Sequence, residues 1–413
     1  MSSRDKYLEL VAELGKLFPK RLCWWYSSVH EKNTTTSRAY HILAKDLPAE
    51  PKRFMYVRAL YRAVRKFASI AVKKARSEPI TEVRQIENLI VTYDGSFLSV
   101  FHPLPNAGLL YLDRVFGYLS WWDFFRVLRA YFAVDFDGSV RIGVIVLVAK
   151  IFGRDDGWEI FKEDFYDSLF GGKCIEGLFY ERAFERVAEK HTTVNKIIYV
   201  YEGFAWEKAL CKVFDGATKV GVMCSVPSPN HMQYFYLPDE YMPKPDYLGV
   251  PGQVAYELME KAYPDKVFIL GTVRHRHLLK WEKMERKKSD CTLVILTPNE
   301  RQNSFLINWV FNNLQSDMIK RNVALRAHPD LPKAGGWKTI QGSLAYCLQR
   351  VKRIVVYDST VAVEALAFGL DVVVPEMPHF VRLCPLQAGR NNLRDYFDFS
   401  RDEEQMREAV MAL

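Results

Sequence analysis

Two short stretches in the last third of the chain carry residue types that bind a phosphorylated ligand. In the first, a buried-looking apolar run ends at His328-Pro329. In the second, an apolar run ends at Asp358-Ser359-Thr360, and a helix-forming segment follows. Hydroxyls and backbone N–H groups at the start of a helix favour an anion. The sequence therefore predicts that His328 and Asp358 flank a nucleotide site in which Ser359 and Thr360 hold the phosphate.

These residues must be positioned by parallel strands. The helix-forming segment ends at Gly369, and a further apolar run from Val372 to Val374 begins almost at once. A strand-helix-strand unit of this kind favours a parallel sheet, whose ligands lie at the carboxyl ends of the strands. Glu364, on the same helix, can reach back to a ribose or base. A solvated helical glutamate is an equally good interpretation.

The length of 413 residues predicts two domains. Short strands are predicted near 87–92 and 97–102, and an α/β rhythm runs from Lys196 onward. The charged segment Lys280 to Asp290 separates it from a second α/β series and is the predicted linker. We therefore predict an α/β fold of the GT-B type: two Rossmann-like domains, 1–282 and 283–413, facing across a cleft, with extra helices in the N-terminal domain.

Three carboxylates are candidates for catalysis. Glu202 follows a predicted strand and Asp246 starts one, and neither lies in a charged run. A retaining glycosyl transfer needs a nucleophile and an acid/base partner. Alternatively, Glu202 caps a helix and Asp246 caps a helix or supports a turn. Glu31 is the third candidate.

Further polar residues follow predicted strands at the proposed cleft. Arg274 ends the last strand before the linker and can bind a carboxylate or phosphate. His275 and His277 lie two residues apart without a third ligand, so we expect no metal. Thr297 and Asn299 leave the first strand of the second domain, where a nucleotide or phosphate loop is expected.

The order of these elements resembles the GT-B enzymes that use CMP-activated acidic sugars. These are the bacterial Kdo (3-deoxy-manno-octulosonate) transferases of capsule and lipopolysaccharide assembly and, more distantly, the bacterial sialyltransferases. The resemblance rests on six places in the chain: Trp24 to Asn33, Tyr201 to Leu210, Lys244 to Asp246, Arg274, His328-Pro329 and Ser359-Thr360.

The resemblance implies a metal-independent, cofactor-free transfer of Kdo from its CMP donor to a surface polysaccharide or lipid-linked glycan. It also implies retention, with Asp246 as nucleophile and Glu202 as proton donor or acceptor. One departure is that Cys224-Ser225 stands where many relatives have a Gln-His-Ser-like turn. The alternatives are a UDP-sugar transferase or epimerase, and a non-catalytic glycan- or membrane-binding protein with the same fold.

The net charge of +8 is unevenly distributed, since Lys52 to Arg76 holds nine Lys and Arg and no acid. This pattern predicts a basic amphipathic helix that binds anionic lipid, as at the inner membrane, or a polyanionic glycan. A solvated basic face explains it equally well. Nucleic acid is not expected, because no recognition motif accompanies the charge.

The cysteine pattern and the hydropathy of the sequence indicate the cellular compartment of the protein. The seven cysteines include no Cys-x-x-Cys pair, as expected of reduced thiols. The first residues lack a signal-peptide core, and no apolar run reaches the length of a membrane span. We expect a cytoplasmic protein, in part at the inner face of the cytoplasmic membrane.

Overall fold

The computed structural model describes residues 10–12, 24–25, 55–77, 85–93, 97–132, 164–229, 231–234, 243–285, 289–297, 300–313, 322–327, 339–376 and 384–413.

A six-stranded sheet forms the first structural unit. Its strands are β1 (Asn88–Thr92), β2 (Ala107–Tyr111), β3 (Lys196–Val200), β4 (Thr218–Val222), β5 (Tyr247–Val250) and β6 (Val267–Ile269). They lie in the order β2-β1-β3-β4-β5-β6, and every neighbouring pair is parallel. β1 and β3 are buried along their whole length, as strands covered on both faces must be.

A four-stranded parallel sheet forms the second unit. Its strands are β7 (Thr292–Ile295), β8 (Val323–Arg326), β9 (Arg353–Val356) and β10 (Asp371–Val373). They lie in the order β10-β9-β7-β8. The two parallel sheets confirm the predicted α/β class with two Rossmann-like units.

Besides the short helical stretch 10–12, twelve α-helical segments are described around these sheets. They are α1 (Met55–Arg76), α2 (121–132), α3 (164–170), α4 (Gly172–Lys190), α5 (Ala205–Val213), α6 (Gln253–Met259), α7 (Leu278–Glu282), α8 (Glu300–Asn313), α9 (Leu344–Leu348), α10 (Val361–Glu364), α11 (Leu393–Tyr396) and α12 (Glu403–Met411). α1 to α4 precede β3 and are the extra helices predicted for the N-terminal part. α4 packs against α1 and α5, and Phe67 of α1 contacts Phe124 and Phe179.

One predicted strand is wrong. The segment 97–102 contains the short 3-10 turn Ser99–Phe101, and the edge strand of the first sheet is β2 instead. Val100 and Phe101 are nevertheless buried. A short apolar run can be buried in the core as a turn or as a strand, so the apolar pattern in the sequence does not distinguish the two.

The end of the chain returns to the first sheet. Met406 and Val410 of α12 pack with Ile90 and Val200 of the first-sheet core. Lys196, at the start of β3, is buried, and its Nζ donates to the carbonyl oxygens of Val410 (2.9 Å) and Met411 (3.0 Å). The C-terminus of a helix is a favourable place for a cation. The boundary predicted at residues 282–283 stays a prediction, and α12 adds to the core of the first unit.

The returning segment crosses the first unit at a glycine that has no room for a side chain. A Cβ atom at Gly252 would lie 2.5 Å from the backbone oxygen of Tyr396 and 2.9 Å from the nitrogen of Phe397. The backbone oxygen of Pro251 also accepts from the N–H of Asp398 (2.7 Å). Close approach of two backbones, rather than an unusual dihedral angle, therefore requires glycine here.

Gly252→Ala is expected to lower the free energy of unfolding by about 1–3 kcal/mol, because one of the two backbones must shift. Urea denaturation measures this loss. Gly216→Ala is the matched control, since a Cβ there meets nothing within 4 Å, and it should change stability by less than about 0.5 kcal/mol. Equal stability of both variants would contradict the close-approach explanation.

Among the helices that the structure describes, none combines the length and apolar character needed to cross a bilayer.

Candidate functional site

The carboxyl ends of the two sheets meet at a His-Glu contact. His275 follows β6 of the first sheet, and Glu364 ends α10, which follows β9 of the second sheet. Both residues are buried, and His275 Nε2 lies 3.9 Å from Glu364 Oε1. Ligands of parallel sheets bind beyond the carboxyl ends of the strands. This junction is therefore the candidate site.

Burial dominates the electrostatics of this pair. Burial, together with the nearby charges of Arg274 and His277, lowers the pKa of His275 to about 3. Burial also raises the pKa of Glu364, although the charge of Arg274 and a hydrogen bond from Thr360 partly oppose that rise. At neutral pH the imidazole is uncharged. The contact between His275 and Glu364 is therefore not an ion pair, despite its short distance.

Aromatic rings hold the His275 segment between the two units. The His275 ring stacks on Phe397 with 4.4 Å between centroids. His277 packs edge-on against Trp281, which stacks on Phe368 of the second unit at 5.5 Å. Among the described residues, His275 Nδ1 is one of the buried polar atoms without a hydrogen-bond partner. A buried polar atom without a hydrogen bond costs about 1–3 kcal/mol of stability, so native proteins rarely keep one without a structural or functional reason.

Glu202 lies in a tight turn directly after β3. Gly203 has φ +81°, and a Cβ atom there would meet the Gln233 side chain at 2.6 Å. The buried Glu207 carboxylate accepts from the backbone N–H groups of Glu202 (2.9 Å) and Gly203 (2.8 Å). The first turn of α5 therefore fixes the backbone at Glu202.

The charges of Glu202 and Arg274 both affect the pKa of one buried thiol, that of Cys224. Burial raises the pKa of Cys224 to about 12; the charge of Glu202 adds to this rise, and that of Arg274 opposes it. The Arg274 guanidinium lies over the Phe97 ring at 4.8 Å, and Cys224 Sγ contacts the Phe97 backbone oxygen at 3.9 Å. The carboxylate of Glu202 and the exposed Arg274 both follow strands of the first sheet, at its carboxyl edge.

The structure does not place Asp246 beside Glu202. Asp246 precedes β5, so it lies at the amino edge of the parallel sheet, level with Lys219 at the start of β4. Glu202 follows the carboxyl end of β3. At 3.3 Å per residue the two carboxylates are separated by about 16 Å along the strands.

Asp246 has a structural role instead. Its Oδ2 accepts from the backbone N–H of Lys219 at 2.8 Å and lies 3.2 Å from Lys219 Nζ. Lys219 is buried, and its ammonium also donates to the carbonyl oxygens of Ala217 and Asp215. A buried ammonium needs such partners, and Asp246 supplies the charged one.

The second unit presents the predicted phosphate turn at the junction. α10 and a 3-10 turn (Ala365–Phe368) lead to Gly369 in the left-handed conformation, and β10 then pairs parallel to β9, which confirms the predicted strand-helix-strand unit. The α-helical part is only four residues long. Ser359 Oγ accepts from the N–H of Val361 at 3.2 Å, so this hydroxyl already serves the helix start.

Thr297 lies at the carboxyl end of β7, as predicted, but it is buried. Its N–H donates to Asn303 Oδ1 at 2.8 Å and its hydroxyl to Gln302 Oε1 at 2.9 Å. We therefore assign Thr297 to the support of the loop before α8. The predicted residues Glu31, Asn299, His328 and Pro329 lie outside the described residues, while Asp358 occupies the bend before Ser359.

The structure places Arg274, Thr360 and Glu364 near one another at the junction and adds His275, Cys224 and Phe97; the ligand-binding roles of the first three stay predictions. Each of the added residues except Phe97 follows a strand of the first sheet, which is the signal that identifies them in the sequence. No cluster of three or more His, Cys, Asp or Glu able to hold a metal occurs within the described part of the chain. Metal independence stays a prediction.

No family model matches the chain, and no curated protein matches it significantly. Among solved structures, it is similar to UDP-GlcNAc 2-epimerase from Methanocaldococcus jannaschii, with 11% identity, 79% of this chain and 99% of that chain covered, and a TM-score of 0.39. It is also similar to the wall teichoic acid polymerase TagF, solved with CDPG, with 10% identity, 86% and 91% covered, and a TM-score of 0.32.

Proposed function

We propose that this chain is a GT-B glycosyltransferase that transfers an acidic ulosonic sugar, Kdo in the first instance, from its CMP-activated donor to a surface polysaccharide or lipid-linked glycan. The observation that carries the proposal is the junction of the two sheets. Arg274 lies there within electrostatic range of Glu364 and of Cys224, and the charge of Glu202 also affects the pKa of Cys224. The ordered resemblance to the CMP-sugar enzymes supplies the donor class.

Arg274 is the proposed ligand of the donor's carboxylate. Its side chain lies over Phe97, and the residue is exposed beside the buried pair of His275 and Glu364. A guanidinium binds a carboxylate with two parallel hydrogen bonds, which suits an ulosonic sugar better than a neutral hexose. The aromatic contact orients the guanidinium before the donor arrives.

The nucleotide is assigned to the second unit. We propose that the turn at Ser359 and Thr360 contacts the phosphate and that Glu364 accepts from the ribose or base. Hydrogen bonds that strengthen on the leaving phosphate as the glycosidic bond breaks would stabilise the transition state. His328 keeps its proposed nucleotide role from the sequence.

Glu202 is the proposed proton acceptor or donor. It lies on a turn whose backbone is fixed by Glu207, and a positioned carboxylate that removes the acceptor hydroxyl's proton accelerates glycosyl transfer. Retention of configuration was inferred with Asp246 as the nucleophile. Because Asp246 lies at the other edge of the sheet, retention is not part of the proposal.

Nucleotide release tests the donor class. The protein is incubated with CMP-Kdo, CMP-sialic acid and UDP-sugars, each with and without Kdo-containing glycan acceptors, and free nucleotide is quantified. Acceptor-dependent release from CMP-Kdo alone supports the proposal. Release from a UDP-sugar alone, or from none of the donors, overturns it in favour of a UDP-sugar enzyme or a non-catalytic binding protein.

Arg274→Gln is expected to raise the KM for the CMP-sugar by at least about tenfold, the effect of losing a charged hydrogen bond. The inhibition constant of CMP should stay at the wild-type value, because CMP lacks the sugar carboxylate. Steady-state kinetics with CMP as inhibitor measures both quantities.

Arg276→Gln is the matched control on the same segment, since Arg276 Nη1 donates to the backbone oxygen of Arg401 at 2.9 Å. It should leave both constants near their wild-type values. If CMP and the CMP-sugar lost affinity equally in Arg274→Gln, Arg274 would be a phosphate ligand and the carboxylate assignment would fail.

A further inference from the structure

The extra helices of the first unit expose apolar side chains that a water-facing surface does not need. α1 buries Ala59, Ala63 and Ile70 against the protein. On its other side, a stripe with helical spacing is exposed, formed by Val57, Tyr61, Val64 and Val72. One apolar face of α1 packs against the protein, and a second faces outward. An outward apolar face of this kind indicates contact with another apolar surface.

Aromatic residues extend this surface on α2. Trp122 is 75% exposed, Phe125 66% and Phe132 58%, with Trp121 also exposed. The rings of Trp122 and Phe125 lie 5.7 Å apart. α2 adjoins α1 through Phe124, which contacts Phe67 with 5.6 Å between ring centroids. We define the apolar surface as these exposed apolar residues of the two neighbouring helices: Val57, Tyr61, Val64, Val72, Trp121, Trp122, Phe125 and Phe132.

The outward direction of these rings is fixed by a buried ion cluster. Asp123, between Trp122 and Phe124, is fully buried and accepts from Arg182 Nε at 2.6 Å and Arg186 Nη2 at 3.0 Å. The same carboxylate accepts from the N–H and hydroxyl of Ser120. α2 cannot rotate to bury Trp122 without removing Asp123 from both arginines. The exposure of the aromatic residues is therefore built into the helix position.

Basic residues accompany the apolar surface. On α1, Lys66 and Lys74 turn inward, with Lys66 Nζ bonded to Glu176 at 2.7 Å and Lys74 Nζ to the backbone oxygen of Gly117 at 3.0 Å. The other basic residues of α1 and α2 whose side chains are exposed are Arg65, Lys73, Arg76, Arg126 and Arg129. Each is cationic, and they alternate with exposed apolar residues in the sequence.

We infer that the apolar surface is a docking site for the headgroup and upper acyl region of an anionic lipid bilayer. Tryptophan and other aromatic rings favour the boundary between headgroups and acyl chains, and arginine and lysine beside them attract anionic lipids. A protein partner would have to match both the aromatic rings and five cations. This inference concerns a surface on the extra helices and does not depend on the proposed donor or reaction.

Co-flotation of the full-length protein with vesicles tests the inference. Binding is expected to vesicles of phosphatidylcholine mixed with phosphatidylglycerol and to weaken with added salt. Trp122→Ala combined with Phe125→Ala should lower the partition coefficient by at least about tenfold, since two large apolar side chains leave the bilayer. Arg126→Gln and Arg129→Gln should each lower it about fivefold on anionic vesicles and leave binding to neutral vesicles unchanged.

Phe311→Ala is the control, because Phe311 is an exposed aromatic residue on α8 of the second unit. It should bind vesicles like the wild type. Wild-type binding by the Trp122/Phe125 variant, or no vesicle binding by the wild type, overturns the inference. If the wild type were a dimer that does not bind vesicles, and the Trp122/Phe125 variant were a monomer, the apolar surface would be a self-association surface. That result would also overturn the inference.

Discussion

Replacing Glu202 by glutamine is expected to lower turnover by about 10²–10⁴-fold, the usual contribution of a positioned acid or base. The substitution removes the ionisable group and keeps the size of the side chain. The turn should persist, because it is held by the N–H groups of Glu202 and Gly203 on the Glu207 carboxylate. The measurement is the turnover number for acceptor-dependent nucleotide release, with thermal melting of each variant alongside.

Asp246→Asn is the decisive comparison, because Asp246 is also a carboxylate next to a buried strand. It should keep the turnover number of the wild type and melt at a lower temperature, since the carboxylate next to buried Lys219 is lost. Loss of turnover in Asp246→Asn without a change in melting would contradict the assignment of the site to the carboxyl edge. Full turnover in Glu202→Gln would remove Glu202 from the mechanism.

Replacing Asp123 by asparagine is expected to lower the free energy of unfolding by about 3 kcal/mol, because two arginines lose their common carboxylate inside the protein. Burial alone would raise the pKa of Asp123, but hydrogen bonds from Arg186, Ser120 and Arg182 outweigh burial and hold the pKa well below its usual range. Urea denaturation at neutral pH measures the difference between variant and wild type.

The same carboxylate predicts the pH dependence of that difference. A folded-state pKa below the unfolded value means that the stabilisation is complete above the unfolded pKa of about 3.9 and is lost as the pH falls toward the folded pKa. The variant and the wild type should therefore converge in stability in acid. Asp113→Asn, at an exposed aspartate, should change stability at neutral pH by less than about 0.5 kcal/mol. A pH-independent difference for Asp123→Asn would contradict the ion-cluster explanation.

Most strands of both sheets were predictable from local sequence. The strand predicted near 87–92 agrees with β1, and the apolar run predicted from Val372 to Val374 differs from β10 by one residue at each end. Parallel strands are covered on both faces, so they appear as short continuous apolar runs between polar turns. The segment 97–102 was predicted as a strand because it is apolar, but apolar residues in a turn can also be buried in the core, as in Ser99–Phe101.

The candidate site was only partly predictable. Arg274 was predicted because it follows a strand, and Glu364 because it lies on the short helix after a strand; both positions lie at the ligand edge of a parallel sheet. The different position of Asp246 is visible in the sequence, because Asp246 precedes its strand whereas Glu202 follows one. In a parallel sheet these two positions lie at opposite edges.

Local sequence was enough to predict the parallel α/β units, the basic helix α1 and the polar residues that end the strands, because each of these depends on neighbours along the chain. Which of these residues meet depends on the folded arrangement of the elements. The contact of His275 with Glu364 joins residues 89 positions apart, and the outward direction of Trp122 depends on Asp123 reaching Arg182 and Arg186. Such pairings follow from the relative placement of whole elements, for which no local pattern of side chains carries the information.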